Sequence, residues 1–197
     1  MIKIDNLTKS FGQFTAVDGL SFRVAPGEVL GFLGPNGAGK STTMKMITGF
    51  MAPSSGKVTV FENDASVNPL KTKAIIGYLP EGAPSYGDMT TAQFLKFIGK
   101  IRGFRGAELA SRIERVKQQL HLDRVMDQTI DTLSKGFKRR VGMAQAIIHD
   151  PKVLILDEPT DGLDPNQKKE VRELIANLSK DKIVIISTHI LEEVSAV

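Results

Sequence analysis

One short segment restricts the fold of this chain more than any other: residues 34–42, which read Gly-Pro-Asn-Gly-Ala-Gly-Lys-Ser-Thr. An apolar run at residues 29–33 comes directly before it, and a helical pattern over residues 41–50 follows it. A G-x-x-x-x-G-K-S sequence between a strand and a helix is typical of a loop that binds phosphates with its backbone amides. The run at 29–33 predicts a strand buried on both faces, and hence an α/β fold with a mainly parallel sheet.

The composition of the loop suits a polyphosphate. Its glycines leave the backbone open to close approach by phosphate. Lys40 can reach the β- and γ-phosphates as a point charge, and Ser41 offers a hydroxyl to Mg²⁺. The loop alone leaves kinases, GTPases and other ATPases open. The predicted nucleotide-binding residues in the loop are Gly34, Pro35, Asn36, Gly37, Ala38, Gly39, Lys40, Ser41 and Thr42.

Two adjacent carboxylates, Asp157 and Glu158, follow a second apolar run at residues 153–156. Ligands of parallel α/β sheets gather at the carboxyl ends of the strands. Asp157 therefore suits magnesium, bound through water, and Glu158 suits orienting or deprotonating the attacking water. His189 follows a third apolar run at 183–186, where it can contact a γ-phosphate or serve as a structural histidine.

Composition removes several classes of protein. The 197-residue chain has no cysteine, which excludes disulfides and thiolate metal sites. Its net charge of +4 is not by itself a signature of nucleic-acid binding. Its apolar runs are far shorter than the roughly 20 residues of a membrane-spanning helix. Work at a membrane would therefore need a partner.

The chain reads as a single domain, 1–197, that contains a helical insertion. Residues 1–60 read as short strands broken by turns, and apolar residues recur at helical spacing between 90 and 125. We place the insertion at about 82–146. Residues 1–81 and 147–197 are predicted to form the nucleotide-binding core together with a β subdomain.

Along essentially the whole chain, these motifs resemble the ATP-binding-cassette (ABC) family. Residues 34–42 resemble its Walker A loop, 153–158 its Walker B strand with the catalytic glutamate, and 162–164 its D-loop. Residues 133–137, Leu-Ser-Lys-Gly-Phe, stand where the family carries its signature. The resemblance implies a P-loop NTPase core with a mainly parallel sheet, an N-terminal antiparallel β subdomain and an inserted α-helical subdomain.

The resemblance also implies roles for particular residues. Phe11 is placed like the aromatic that stacks on adenine, and Asp164 belongs to the D-loop. The implied catalytic residues are Glu158, the switch histidine His189 and Lys40. The residues implied to face the ATP of a second subunit are Ser134, Lys135, Gly136 and Phe137. The implied ligands of Mg²⁺ are Ser41, Asp157 and, with its role in question, Glu81.

The signature segment makes physical sense as an anion site, because a serine and free amides stand at the start of an amphipathic helix. The basic residues that follow can belong to that surface or form a solvated helix face. They are Lys135, Lys138, Arg139 and Arg140.

Two features depart from the pattern of the family. Glu81 stands where members commonly carry a glutamine, which adds charge beside the phosphates and removes an amide donor. This departure, with Ser-Lys-Gly-Phe in the signature, resembles the exporter branch that includes drug, antibiotic and gliding-motility ATPases. The family's domains also continue through C-terminal strands beyond the point that corresponds to Val197, so we expect weaker stability and dimerisation than in a longer version.

Three functions follow from these observations. The leading hypothesis is an ATP-hydrolysing subunit of a membrane ABC transporter, an exporter by branch resemblance, on the cytoplasmic side of the cell membrane. Its expected partners are integral membrane subunits and a second ATPase subunit, identical or paired, and not nucleic acid. One alternative is a soluble ABC ATPase acting on ribosomes or DNA, which the single cassette disfavours. The other is a nucleotide-binding module that does not hydrolyse.

Overall fold

The computed structural model describes residues 1–82 and 86–188. The strands within those residues are β1 (Ile2–Phe11), β2 (Phe14–Val24), β3 (Val29–Leu33), β4 (Ser55–Val60), β5 (Asn63–Asp64), β6 (Ile76–Leu79), β7 (Val153–Asp157) and β8 (Ile183–Thr188). The α-helices are α1 (Lys40–Ile47), α2 (Pro69–Ile75), α3 (Thr91–Ile101), α4 (Gly106–Gln119), α5 (Lys135–Ile147) and α6 (Pro165–Ser179).

The first sheet is antiparallel, with the strand order β2-β1-β4-β5. Alternate residues of β1 point inward, so that Ile2 and Ile4 are buried beside Val58 and Val60 of β4. Helix α1 packs against this layer through buried residues that include Met44. The β1–β2 hairpin therefore lies beside the helix that begins at the phosphate loop.

The second sheet is parallel, with the order β3-β8-β7-β6. Every residue of β7 and β8 is buried, because both faces of these strands are covered. Leu154 and Leu156 of β7 face a core shared with α5 and α6. Val153 and Ile155 face the core shared with the antiparallel sheet and α1. The predicted α/β fold with a parallel central sheet is confirmed.

The prediction that residues 29–33 are buried on both faces was wrong. All five residues of β3 are partly exposed to solvent, and Leu33 is 48% exposed. The physical reason is the strand order: β3 lies at the edge of the parallel sheet, and within the described residues β8 is its strand neighbour.

Helices α3, α4 and α5 share one apolar core above the parallel sheet. Thr90 begins α3 with a capping box, in which its side chain accepts from the backbone of Gln93 and the Gln93 side chain accepts from the backbone of Thr90. In residues 1–82 and 86–188 no helix is long and apolar enough to span a membrane. The division of the chain at about residues 82 and 146 stays a prediction.

Candidate functional site

A cavity of about 460 Å³ opens at the carboxyl ends of the parallel strands. The glycine-rich loop forms one wall and the β1–β2 hairpin another, and Asp157 and Glu158 at the end of β7 also line the cavity. Its lining residues are Phe11, Phe14, Ala16, Asn36, Gly37, Ala38, Gly39, Lys40, Ser41, Thr42, Glu81, Asp157 and Glu158. The structure therefore brings most of the predicted nucleotide-binding residues together with both carboxylates and Glu81.

The conformation of the loop depends on glycine at one position above all. Gly39 has φ +83°, and a Cβ atom there would lie 2.4 Å from the carbonyl oxygen of Ala16. Any side chain at Gly39 would therefore collide with the hairpin wall. Gly39 directly precedes α1, whose start carries no side-chain cap in the described residues, and residues 39–42 line the cavity. The first amides of a helix lack partners within the helix and are suited to bind an anion.

Lys40, the first residue of α1, binds its own loop. Its Nζ donates to the carbonyl oxygens of Gly34 at 2.5 Å and Pro35 at 3.0 Å. The ammonium group is thus held beside the place where phosphates would lie, on acceptors that it can exchange for phosphate oxygens. Gly34 and Pro35 themselves do not line the cavity; they act through these two carbonyls.

Asp157 and Glu158 have different surroundings although they are adjacent. Asp157, the last residue of β7, is 2% exposed, and its Oδ1 accepts a short hydrogen bond from Ser187 Oγ of β8. The backbone amide of Glu158 donates to Ser187 Oγ at 3.0 Å, and Glu158 lies in the left-handed region with φ +50°. The two carboxylates therefore differ in backbone conformation and in how each residue contacts Ser187. Sequence reasoning missed Ser187, although it closes a buried strand next to the histidine that was singled out.

The hairpin wall contains two aromatic residues where one was predicted. Phe11 and Phe14 are paired in the register of β1 and β2, and both line the cavity. The ammonium of Lys9 lies 5.2 Å from the centroid of the Phe11 ring. Phe14 was missed; the signal that could have found it is its facing position across the turn at residues 12–13.

The signature residues lie elsewhere. Ser134 caps α5 by accepting from the amide of Phe137 at 3.4 Å, and Gly136 is buried, with Gln167 2.5 Å from the position of a Cβ. None of residues 134–137 lines the cavity at the phosphate loop. Asp164 caps α6 by accepting from the amide of Gln167 at 2.9 Å. His189 lies outside the described residues.

The reading of the basic run as a solvated helix face was wrong for two of its members. Arg139 and Arg140 of α5 are buried. Arg140 donates to a carboxylate oxygen of Glu170 at 2.7 Å, while Arg139 reaches backbone carbonyls beside the cavity. The physical reason is that α5 packs against β6 of the parallel sheet and lies beside α6, so its inward residues must find partners in the interior.

Glu81 follows β6 and adds a third carboxylate to the cavity. Burial raises the pKa of Tyr78 on the same strand to about 12, with further contributions from the negative charges of Asp157 and Glu81. Among residues 1–82 and 86–188, no three His, Cys, Asp or Glu side chains are grouped to hold a metal.

A second cavity of about 610 Å³ is lined by residues of α2, β6, α3 and α5. Exposed Phe50, Leu70 and Ile101 stand at its rim beside Arg102, whose guanidinium donates to the carbonyls of Lys73 and Ile76. His149 lines it too, and burial lowers the pKa of this histidine to about 4. The histidine is neutral at pH 7, as expected for a structural histidine.

The fold and the loop define a P-loop nucleotide-binding protein with carboxylates facing the phosphate loop. The family model described as ABC transporter matches residues 17–161, and the chain belongs to this family. The resemblance predicted from the motifs is thereby confirmed.

Similar proteins are named as ATP-binding parts of transporters. The chain is 37% identical over 194 residues to the probable multidrug ABC transporter ATP-binding protein YbhF of Escherichia coli (strain K12), covering 98% of this chain and 34% of that protein. It is 37% identical over 193 residues to Nod factor export ATP-binding protein I of Paraburkholderia xenovorans (strain LB400), covering 98% of this chain and 64% of that protein. The chain thus spans less than two thirds of the length of either relative.

A solved structure described as the ATP binding subunit of an ABC transporter has the same fold. It superposes with a TM-score of 0.88 at 28% sequence identity, covering 98% of this chain and 80% of that chain.

Proposed function

We propose that this chain binds ATP with Mg²⁺ at the 460 Å³ cavity and hydrolyses it as the ATPase part of a membrane exporter. The observation that carries the proposal is the meeting of Lys40 and the glycine-rich loop with Asp157 and Glu158 in one cavity. Kinases and GTPases share such a loop, but the family and the names of the relatives favour ATP and transport.

The phosphates would lie against residues 36–42. The amides at the start of α1 and the loop amides would donate to them, and Lys40 would exchange the carbonyls of Gly34 and Pro35 for phosphate oxygens. The adenine would rest on the hairpin wall, between or upon Phe11 and Phe14. Nucleotide binding thus uses the backbone of one loop and two aromatic faces.

The donors present fit magnesium. Ser41 offers a hydroxyl and Asp157 a carboxylate, and Mg²⁺ typically takes one or two protein oxygens, several waters and phosphate oxygens. Such an ion would neutralise charge on the transferring phosphate. Glu81 can contribute through a water, but its charge beside phosphates also opposes their binding.

Glu158 would orient the attacking water and accept its proton. Ser187 contacts the side chain of Asp157 but the backbone amide of Glu158, so the two carboxylates can take separate tasks. His189 is proposed to contact the γ-phosphate on the strength of the family motif alone.

A second ATPase subunit would complete the site. Residues 134–137 lie at the start of α5 and outside the cavity of their own chain, as a surface that serves the ATP of another subunit would. The two subunits would close on two ATP molecules and reopen after hydrolysis, and a membrane partner would convert the motion into transport.

The 610 Å³ cavity is the proposed binding site for that membrane partner. Exposed apolar side chains beside Lys73 and Arg102 suit a helical segment with an apolar face and a carboxylate, exposed on the cytoplasmic side of the membrane. Phe50→Asp should release the partner, because Phe50 lines the cavity. Val67→Asp is the matched control: Val67 is as exposed as Phe50, at 73%, but lies outside the cavity, so this variant should keep the partner. The measurement is co-purification from native membranes, with a polytopic protein identified by peptide mass spectrometry. Equal recovery with both variants would place the contact elsewhere.

Glu158→Gln tests hydrolysis. We expect turnover to fall about 10²- to 10⁴-fold, the range of general-base catalysis, while equilibrium ATP binding changes less than about threefold. Glu173→Gln is the matched control, because Glu173 is an exposed residue of α6 paired with Lys169. Turnover that survives in Glu158→Gln would remove the assignment of the base. A wild-type chain that binds ATP and never hydrolyses it would favour the non-hydrolysing module.

A further inference from the structure

Arg139 makes contacts that neither the loop nor the carboxylates explain. It lies on α5, two residues after the signature segment, and is 7% exposed. Its guanidinium donates to the carbonyl oxygens of Pro80 at 3.0 Å and Pro159 at 3.3 Å, and makes short bonds to the carbonyls of Asp157 and Glu158. One side chain thus holds four backbone acceptors from two different strand ends.

These acceptors surround a strained turn. Glu158 has φ +50°, in the left-handed region that is strained for a residue with a side chain. The amide side of the turn is fixed by Ser187, which accepts from the Glu158 amide. The carbonyl side is fixed by Arg139. The direction in which the Glu158 side chain leaves the backbone therefore depends on both contacts.

The same guanidinium joins two parts of the cavity wall. Strands β6 and β7 pair as far as Leu79 and Leu156, and Pro80 is the next residue after β6. Beyond that pair, Arg139 links the backbone leading to Glu81 with the backbone carrying Glu158. Burial lowers the pKa of Arg139, yet an arginine stays charged at neutral pH, so all its N–H groups remain donors.

We propose that Arg139 is a positioning residue for ATP hydrolysis, which aims Glu158 by clamping the backbone at residues 157–159 against Pro80. The proposal rests on the proposed ATPase function. Arg139 does not line the nucleotide cavity, so it acts through Glu158 and not on ATP. Lysine is a poor substitute, because a compact ammonium cannot reach four carbonyls in the geometry of a planar guanidinium.

The test compares Arg139→Lys with Arg115→Lys in the full chain. Arg115 is the matched control: it also donates to backbone carbonyls, those of Ile147 and Ile148, but at the far end of α5. For Arg139→Lys we expect kcat to fall about 10- to 100-fold, the effect of a misplaced catalytic group, with KM for ATP changed less than about threefold. Arg115→Lys should keep the kcat of the wild type. Wild-type kcat in Arg139→Lys, or a loss confined to KM, would overturn the proposal.

A second measurement separates positioning from general damage to the fold. In a Glu158→Gln background, Arg139→Lys should lower the residual single-turnover rate by less than about twofold, because the group it aims is already gone. The same 10- to 100-fold loss in both backgrounds would overturn the positioning role and leave the proposed function standing. A wild-type chain without hydrolysis would overturn both.

Discussion

The phosphate loop (residues 34–42) and the segment 157–159 that carries Asp157 and Glu158, here called the carboxylate turn, line one cavity but are built differently. The loop follows β3, the edge strand of the parallel sheet, and Leu33 before it is half exposed. The turn follows β7, an interior strand, and Leu156 before Asp157 is fully buried. Lys40 rests on carbonyls of its own loop, whereas Ser187 and Arg139 reach the turn from other elements.

The difference matches the two tasks proposed for these segments, phosphate binding by the loop and activation of water by Glu158. A loop that must close around a polyphosphate benefits from contacts that it can exchange, and Lys40 has such contacts. A catalytic carboxylate benefits from a fixed direction, because small displacements from the reacting atoms reduce the rate strongly. We infer that ATP binding rearranges the loop more than the turn.

The largest effect expected from this comparison concerns two leucines that directly precede the two halves of the site. Leu156→Ala removes a buried side chain from the core, and should lower the free energy of unfolding by about 2–5 kcal/mol. Leu33→Ala removes a half-exposed one, and should cost less than about 1 kcal/mol. Urea denaturation of both variants measures the two values. Equal losses would mean that the loop is anchored as firmly as the turn.

Lys40→Ala sharpens the comparison on the loop side. The variant loses charge-assisted hydrogen bonds to phosphate, each about 1.5–3 kcal/mol, so ATP affinity should fall about 10- to 100-fold. Thermal stability without nucleotide should change little, because the bonds of Lys40 in the structure are to carbonyls near the surface. Lys45→Ala, one turn further along α1 and outside the cavity, is the control. Full ATP affinity in Lys40→Ala would contradict the assignment of the phosphate site.

Contiguous motifs made much of this site predictable from the sequence. Residues 34–42 and the pair Asp157–Glu158 carry their chemistry in neighbouring positions, so their spacing alone indicated a strand end and a helix start. The contacts of Arg139 and Ser187 join residues about 20 to 60 positions apart, and a motif contains no record of such contacts. The prediction that β3 is buried on both faces was wrong for a related reason: an apolar run predicts a strand, but it does not predict the position of that strand in the sheet.

The smallest expected effect lies at the opposite end of the interior strands. Lys182, just before β8, donates to Asp150, close before β7, at 2.8 Å, and this bond lowers the pKa of Asp150. A lowered pKa in the folded state stabilises above the ordinary value of 3.8, and the contribution is lost as pH falls through the folded-state value. Because Asp150 is exposed, the pair should contribute less than about 1 kcal/mol.

Asp150→Asn isolates that pair, since asparagine tolerates the positive φ of this residue and only the charge is removed. The stability gap between wild type and Asp150→Asn should be constant from pH 7 to about 5, and close below pH 3.8. Urea midpoints at several pH values, repeated in high salt, measure the gap and its screening. A loss of stability in Asp150→Asn as large as that in Leu156→Ala would contradict the comparison. The exposed ion pair would then stabilise the interior strands as much as the buried side chain of Leu156 does.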